Sequence, residues 1–80
     1  MDKRTRLGMY RILRKLGVKR NEIYPEASFK TDLFFDDKDW LCFLFFVESK
    51  FNISIDDKEI DRLTNLESSI HTVNRYLTVN

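Results

Sequence analysis

The stretch Asp36-Asp37-Lys38-Asp39-Trp40-Leu41-Cys42-Phe43-Leu44-Phe45-Phe46-Val47-Glu48-Ser49-Lys50-Phe51 decides the fold. Trp40, Phe43, Leu44, Val47 and Phe51 recur at the spacing of a helix with one buried stripe. Asp36, Asp37 and Asp39 stand where carboxylates cap free amides and complement the positive end of a helix. The pattern therefore predicts a helix from Asp37 to Phe51, with Asp37 read as a cap. Leu41, Cys42, Phe45 and Phe46 cover much of the remaining circumference. A helix that is apolar nearly all round is either central or carries an interface. Cys42 reads as a small buried apolar residue. Leu41 and Phe45 are candidates for an exposed partner-binding patch.

N-terminal to this segment, Arg4 to Leu16 predicts an amphipathic helix. Leu7, Met9, Tyr10, Ile12, Leu13 and Leu16 share one broad side, and Arg4, Arg11, Arg14 and Lys15 the other. Gly17 suits its C-cap. Residues 18–35 read as a long loop with turn formers Asn21, Pro25 and Ser28, pinned by Val18, Ile23, Phe29 and Leu33. C-terminal to it, 52–55 reads as an extended link. A short helix capped by Asp56 or Asp57 is expected to run to Leu63. Thr64-Asn65-Leu66-Glu67 has the form of a capping box, with Thr64 bonding the Glu67 amide. A last helix follows, with Leu66, Ile70, Val73 and Leu77 at helical spacing. The expected fold class is all-α: one domain over residues 1–80, a small four-helix bundle with a long loop between helices 1 and 2.

Composition agrees with one folded domain. Eighty residues leave no room for two cores, and 42% apolar content with a net charge of +1 favours folding over disorder. One cysteine excludes an internal disulfide. No apolar run is long enough for a membrane span, and no signal peptide is visible; a cytoplasmic protein is expected. The charge is unevenly spread. Residues 1–20 hold eight basic side chains and one acid, and residues 21–80 hold six and twelve. Such asymmetry marks a partner surface or a basic face neutralised by the rest of the chain.

The order of these segments resembles the acyl carrier protein family. Leu16-Gly17-Val18-Lys19 is similar to the end of the family's first helix. Ala27-Ser28-Phe29-x-x-Asp32-Leu33 is similar to the loop leading into its carrier helix. Asp36-x-x-Asp39 matches the acids flanking the attachment site. Val47-Glu48-x-x-Phe51, Ile53-x-Ile55-x-Asp57-x-Glu59 and Leu63-Thr64-x-Leu66-x-x-x-Ile70 follow in family order, so that the likeness covers roughly residues 16–77. It implies a four-helix bundle of acyl-carrier type.

The resemblance breaks at the attachment site. Carriers have Asp-Ser-Leu, whose serine holds the 4′-phosphopantetheine arm; here the triplet is Asp36-Asp37-Lys38. A carboxylate attacking phosphorus would give a mixed anhydride that hydrolyses, so Asp37 is not expected to hold the arm. Phe34 stands where carriers have a glycine before the motif, and Cys42 where they present a glutamate. The acidic recognition surface of the carrier helix is thus aromatic here, and the first helix is basic. Phe43, Phe45 and Phe46 are expected to fill the space an acyl chain would need.

No catalytic constellation is visible, so an enzyme is not expected. His71 and Cys42 have no partner nearby in sequence, and the acidic groups lack calcium-loop spacing. Neither a metal nor a cofactor is expected. The expected function is a non-enzymatic, carrier-like interaction module. It would contact a protein partner or a second copy through helix 2 (Leu41, Phe45). An anionic partner would meet helix 1 at Arg4, Arg11, Arg14 and Lys15. One alternative is a true acyl carrier with a non-standard attachment site. Another is a small nucleic-acid-binding regulator using the basic helix, although base-stacking aromatics do not alternate with its basic residues.

Overall fold

The computed structural model describes residues 3–78. Asp2, counted above among the N-terminal charges, and the ends of the 1–80 domain lie outside that range. The described residues contain four α-helices, α1 (Lys3–Lys15), α2 (Asp37–Phe51), α3 (Asp57–Ile60) and α4 (Leu66–Thr78), and one 3₁₀ turn at Arg20–Glu22. No strand occurs among them, only an isolated antiparallel bridge between Ser28 and Asn65. The all-α expectation holds. The short third helix ends at Ile60 rather than running to Leu63, and a hydrogen-bonded turn (Leu63 N–H to Ile60 O, 3.1 Å) completes that stretch.

α1 packs against both α2 and α4. Its core face is Met9, Ile12 and Leu13, while Leu7, expected on that side, is about half exposed. Two small residues let the neighbours approach. Gly8 is buried against the end of α2. Thr5 is fully buried, and its hydroxyl bonds the Asn74 side chain of α4 at 3.3 Å. The helix ends in a Schellman motif. The Val18 N–H donates to Leu13 O and the Gly17 N–H to Arg14 O, both at 3.0 Å, with Gly17 at φ +95°. Gly17 thus caps α1 as its sequence position predicts.

The long loop is ordered by its own hydrogen bonds and by α4. The Asp32 carboxylate accepts from the Ser28 N–H (2.8 Å), and the Ser28 carbonyl accepts from the N–H groups of Asp32 and Leu33. The loop then supplies acceptors to the start of α4: Ala27 O takes the Leu66 N–H (3.0 Å) and Pro25 O the Glu67 N–H (2.8 Å). Thr64 is therefore not the cap. Asn65 Oδ1 accepts from the Ser68 N–H (2.8 Å), and Ser68 Oγ accepts from the Asn65 N–H (3.1 Å). The predicted box is shifted by one residue because the loop carbonyl already occupies the Glu67 amide.

The core joins Phe43, Leu44 and Val47 of α2 to Phe29, Ile55, Leu63, Leu66, Ile70 and Val73. Its centre is aromatic. Phe43 lies 5.0 Å from Phe29, 5.9 Å from Phe35 and 5.6 Å from Trp40, centroid to centroid. Such pairs each add about 0.5–1.5 kcal/mol beyond area burial. Trp40 and Phe51 pack at the margin of this core rather than inside it, and Cys42 is half-buried rather than buried. No helix among the described residues is long and apolar enough to cross a membrane.

Candidate functional site

The start of α2 is a reciprocal cap. Asp36 Oδ1 accepts from the Asp39 N–H at 2.8 Å, and Asp39 Oδ2 accepts from the Asp36 N–H at 3.2 Å. Asp36, not Asp37, is therefore the N-cap. The Asp39 amide holds the Asp36 carboxyl below the usual carboxylate range. Asp37 is the first helical residue and is exposed. Just before it, Phe34 sits at φ +56° with its side chain 76% exposed. That conformation is uncommon for any residue but glycine and unfavourable for a bulky one.

Leu41 and Phe45 lie one turn apart on the solvent side of α2, 67% and 64% exposed. Phe45 fills no internal space. Its ring meets that of Phe46 edge-on at 5.9 Å, and Lys15 of α1 holds its ammonium 5.1 Å from the Phe46 ring centroid. The apolar ridge on α2 and the basic side of α1 are thus one continuous surface.

Three of the four basic candidates join it and one does not. Arg11, Lys15 and Lys50 border a hollow floored by Phe46 and Ile12. Arg4, Arg11 and Lys50 border the next one, beside Leu7 and Phe51. Lys50 was missed as a candidate because it lies 35 residues from Lys15 in sequence. The signal that could have found it is its spacing of four from Phe46 and five from Phe45 on the same helix. Arg14 turns away, donating from Nη1 to Val18 O at 3.2 Å.

Among the described residues, Arg11, Lys15 and Lys50 form no ion pair with the acidic remainder of the chain. Arg6 pairs with Glu67 (3.4 Å) and Arg75 with Glu59, both on other faces. Glu48, the acid late in α2, accepts from the Ile55 N–H at 2.7 Å and is committed to the link after the helix. Exposed His71 stands 3.4 Å from Glu67 on α4, on neither α1 nor α2.

A groove of about 470 Å³ opens beside Asp37, between the loop, the start of α2 and α3. Phe43, Phe45 and Phe46 are expected from the sequence to fill the space an acyl chain would need, and this ligand-sized groove counts against that expectation. Phe43 belongs to the core, Phe45 points to solvent and Phe46 underlies Lys15, so none of the three lines the groove. No protein-family model matches the chain.

Proposed function

We propose that this chain is a non-enzymatic interaction module, acyl-carrier-like in its layout and without the prosthetic arm. Its contact surface would be the Leu41–Phe45 ridge and the adjoining cations Arg4, Arg11, Lys15 and Lys50. The observation that carries this reading is the contact chain Phe45–Phe46–Lys15, which joins an exposed aromatic ridge to the basic side of α1. Aromatic side chains rimmed by positive charge suit an acidic protein partner with apolar anchors. Nucleic acid fits less well. Its phosphates would meet the cations, but the exposed Leu41 and Phe45 would find no apolar partner on a phosphate backbone, and in sequence the nearest basic residue to Leu41 is Lys38.

Two observations support the carrier-like layout. The glycine-favouring backbone at Phe34 occurs where the resembled family has a glycine. The exposed first-turn position of α2, where the family carries its serine, here holds Asp37. Arm transfer would need a hydroxyl there.

The test has two parts. Intact mass after co-expression with a phosphopantetheinyl transferase is expected to remain that of the bare polypeptide; an added arm would turn the reading into a carrier. A photo-crosslinking residue at position 45 is expected to capture one defined protein in the source cell, and the same residue at exposed position 71 is not. Equal labelling from both positions would sink the docking surface. Capture of a second copy of the chain from position 45 would make that face a dimer interface.

A further inference from the structure

We propose that the groove beside Asp37 is a binding site for an organic cation, an ammonium group carried on an alkyl or aryl body. This inference does not depend on the docking surface above.

The apolar part of the lining comes from three places, with Ser28, Thr31 and Thr64 between them. Phe29 and Phe35 belong to the loop, Trp40 to the first turns of α2, and Ile60 and Leu63 to α3 and the turn after it. The walls are fixed before anything binds. The Phe29 N–H donates to Thr64 O (3.2 Å) and the Phe35 N–H to Phe29 O (2.8 Å), which ties the loop to the entry of α4. Phe29 and Trp40 stand 5.1 Å apart, and the stacked ring of Phe43 supports Trp40 at 5.6 Å. A preformed wall binds without the cost of ordering it. The volume falls in the range of small-molecule sites.

The rim sets the sign of the charge. Asp36, Asp37 and Asp61 line it with Lys30 as the one lining cation, and Lys38 acts on Asp36 from outside the groove. Among the described residues neither Asp37 nor Asp61 is in an ion pair. Asp36 is held ionised by its cap bond to the Asp39 amide. Aromatic faces attract cations by their quadrupole, and the carboxylates add a direct attraction. An aliphatic anion would find the same walls but a repelling rim. A neutral chain would gain only from the walls. The ammonium group could belong to a free small molecule or to a methylated lysine of a protein; the chemistry recognised is the same.

Trp40 is the one tryptophan in the chain and lines the groove, so its emission reports binding directly. The probes are hexyltrimethylammonium, hexanoate and hexanol, with a trimethyl-lysine peptide beside its unmodified form. Hexyltrimethylammonium is expected to give a saturable change, with hexanoate and hexanol at least about tenfold weaker. Asp37→Asn combined with Asp61→Asn, both at exposed positions, is expected to weaken the ammonium about tenfold while the protein stays folded, with only the small fall in melting temperature that loss of a first-turn carboxylate brings. Lys30→Ala is expected to strengthen it a few-fold. The relative affinity of the free ammonium and the peptide identifies the source; tight binding of either upholds the site. The proposal is overturned by the absence of saturable binding of both ammonium probes, by equal binding of hexanoate or hexanol, or by indifference to the double substitution.

Discussion

The ring of Phe51 occupies the place where residue 8 would carry a side chain. A Cβ built on Gly8 would lie 2.6 Å from Phe51 Cζ and 3.1 Å from Lys50 Cε. This close approach seats the end of α2 on α1 and brings Lys50 beside Arg11. Two effects oppose each other at this position. Alanine in a helix interior is favoured over glycine by about 0.5–1 kcal/mol, while overpacking costs about 1–3 kcal/mol. Gly8→Ala is therefore expected to destabilise the protein by about 1 kcal/mol net. In a Phe51→Ala background the same substitution is expected to stabilise, because only the propensity gain remains. Urea unfolding of the four proteins in this cycle checks the reversal of sign; equal effects in both backgrounds would mean the ring does not set the cost.

Phe34 and Gly17 give a matched pair for backbone strain. Both have positive φ, +56° and +95°. The left-handed region costs an L residue roughly 1–2 kcal/mol. Gly17 has open space where its Cβ would be, so Gly17→Ala should lose about 1 kcal/mol through the backbone alone. Phe34→Gly should do the opposite, raising stability by about 0.5 kcal/mol after the entropy cost of glycine is subtracted, since little of the exposed ring is buried on folding. Thermal melts of both variants decide it. A loss of stability in Phe34→Gly would show that the ring makes a packing contribution that outweighs the strain.

The cap of α2 predicts a pH dependence. The Asp36 carboxyl is lowered by its bond from the Asp39 amide. A depressed folded-state value means the contribution is present above the ordinary carboxylate range and is lost as pH falls through the folded-state value. Asp36→Ala is thus expected to lower the melting temperature at neutral pH, and the gap to the parent protein is expected to close as pH falls into and below the carboxylate range. Melts at matched ionic strength across that range are the measurement. A gap that stays constant with pH would show that the charge of Asp36 contributes nothing.

Much of this fold is legible in single segments, because the information is local. α1, α2 and α4 follow from hydrophobic spacing, and Gly17 from the chemistry of helix ends. What sequence spacing misses is what depends on contact between distant segments. Thr64 has the right form for a cap, but Pro25 and Ala27 bring carbonyls to the Glu67 and Leu66 amides, and Asn65 takes over. The same holds for the candidate site. Leu41 and Phe45 are readable from a helix with more apolar surface than one core can cover. The separation of Arg14 from Arg11 and the arrival of Lys50 are set by how α1 and α2 lie on one another, which the close approach at Gly8 fixes.

The shifted cap at the start of α4 can be tested by comparing neighbours. Asn65→Ala removes the acceptor of the Ser68 amide and is expected to cost about 1 kcal/mol. Thr64→Ala removes an exposed hydroxyl outside the Asn65–Ser68 cap and is expected to change stability by less than about 0.5 kcal/mol. Chemical denaturation ranks the two. A larger loss from Thr64→Ala would restore the box read from the sequence and contradict the Asn65–Ser68 geometry.

The two faces of α2 differ in kind, and paired substitutions separate them. Phe43 is 1% exposed and contacts the rings of Phe29, Phe35 and Trp40. Replacing it with alanine removes those contacts and leaves a cavity, for an expected loss of about 3–5 kcal/mol, enough to unfold much of a domain this small. Phe45 and Leu41 bury little, so Phe45→Glu and Leu41→Glu should stay within about 0.5 kcal/mol of the parent. Phe45→Glu forfeits the edge contact of this exposed ring with Phe46, a small loss at the surface. Circular dichroism melts give the stabilities, and the crosslinking partner found from position 45 gives the binding readout. Normal stability with lost capture in Leu41→Glu is the outcome expected of a surface kept for docking; a several-kcal/mol collapse in Leu41→Glu would instead make that ridge part of the core.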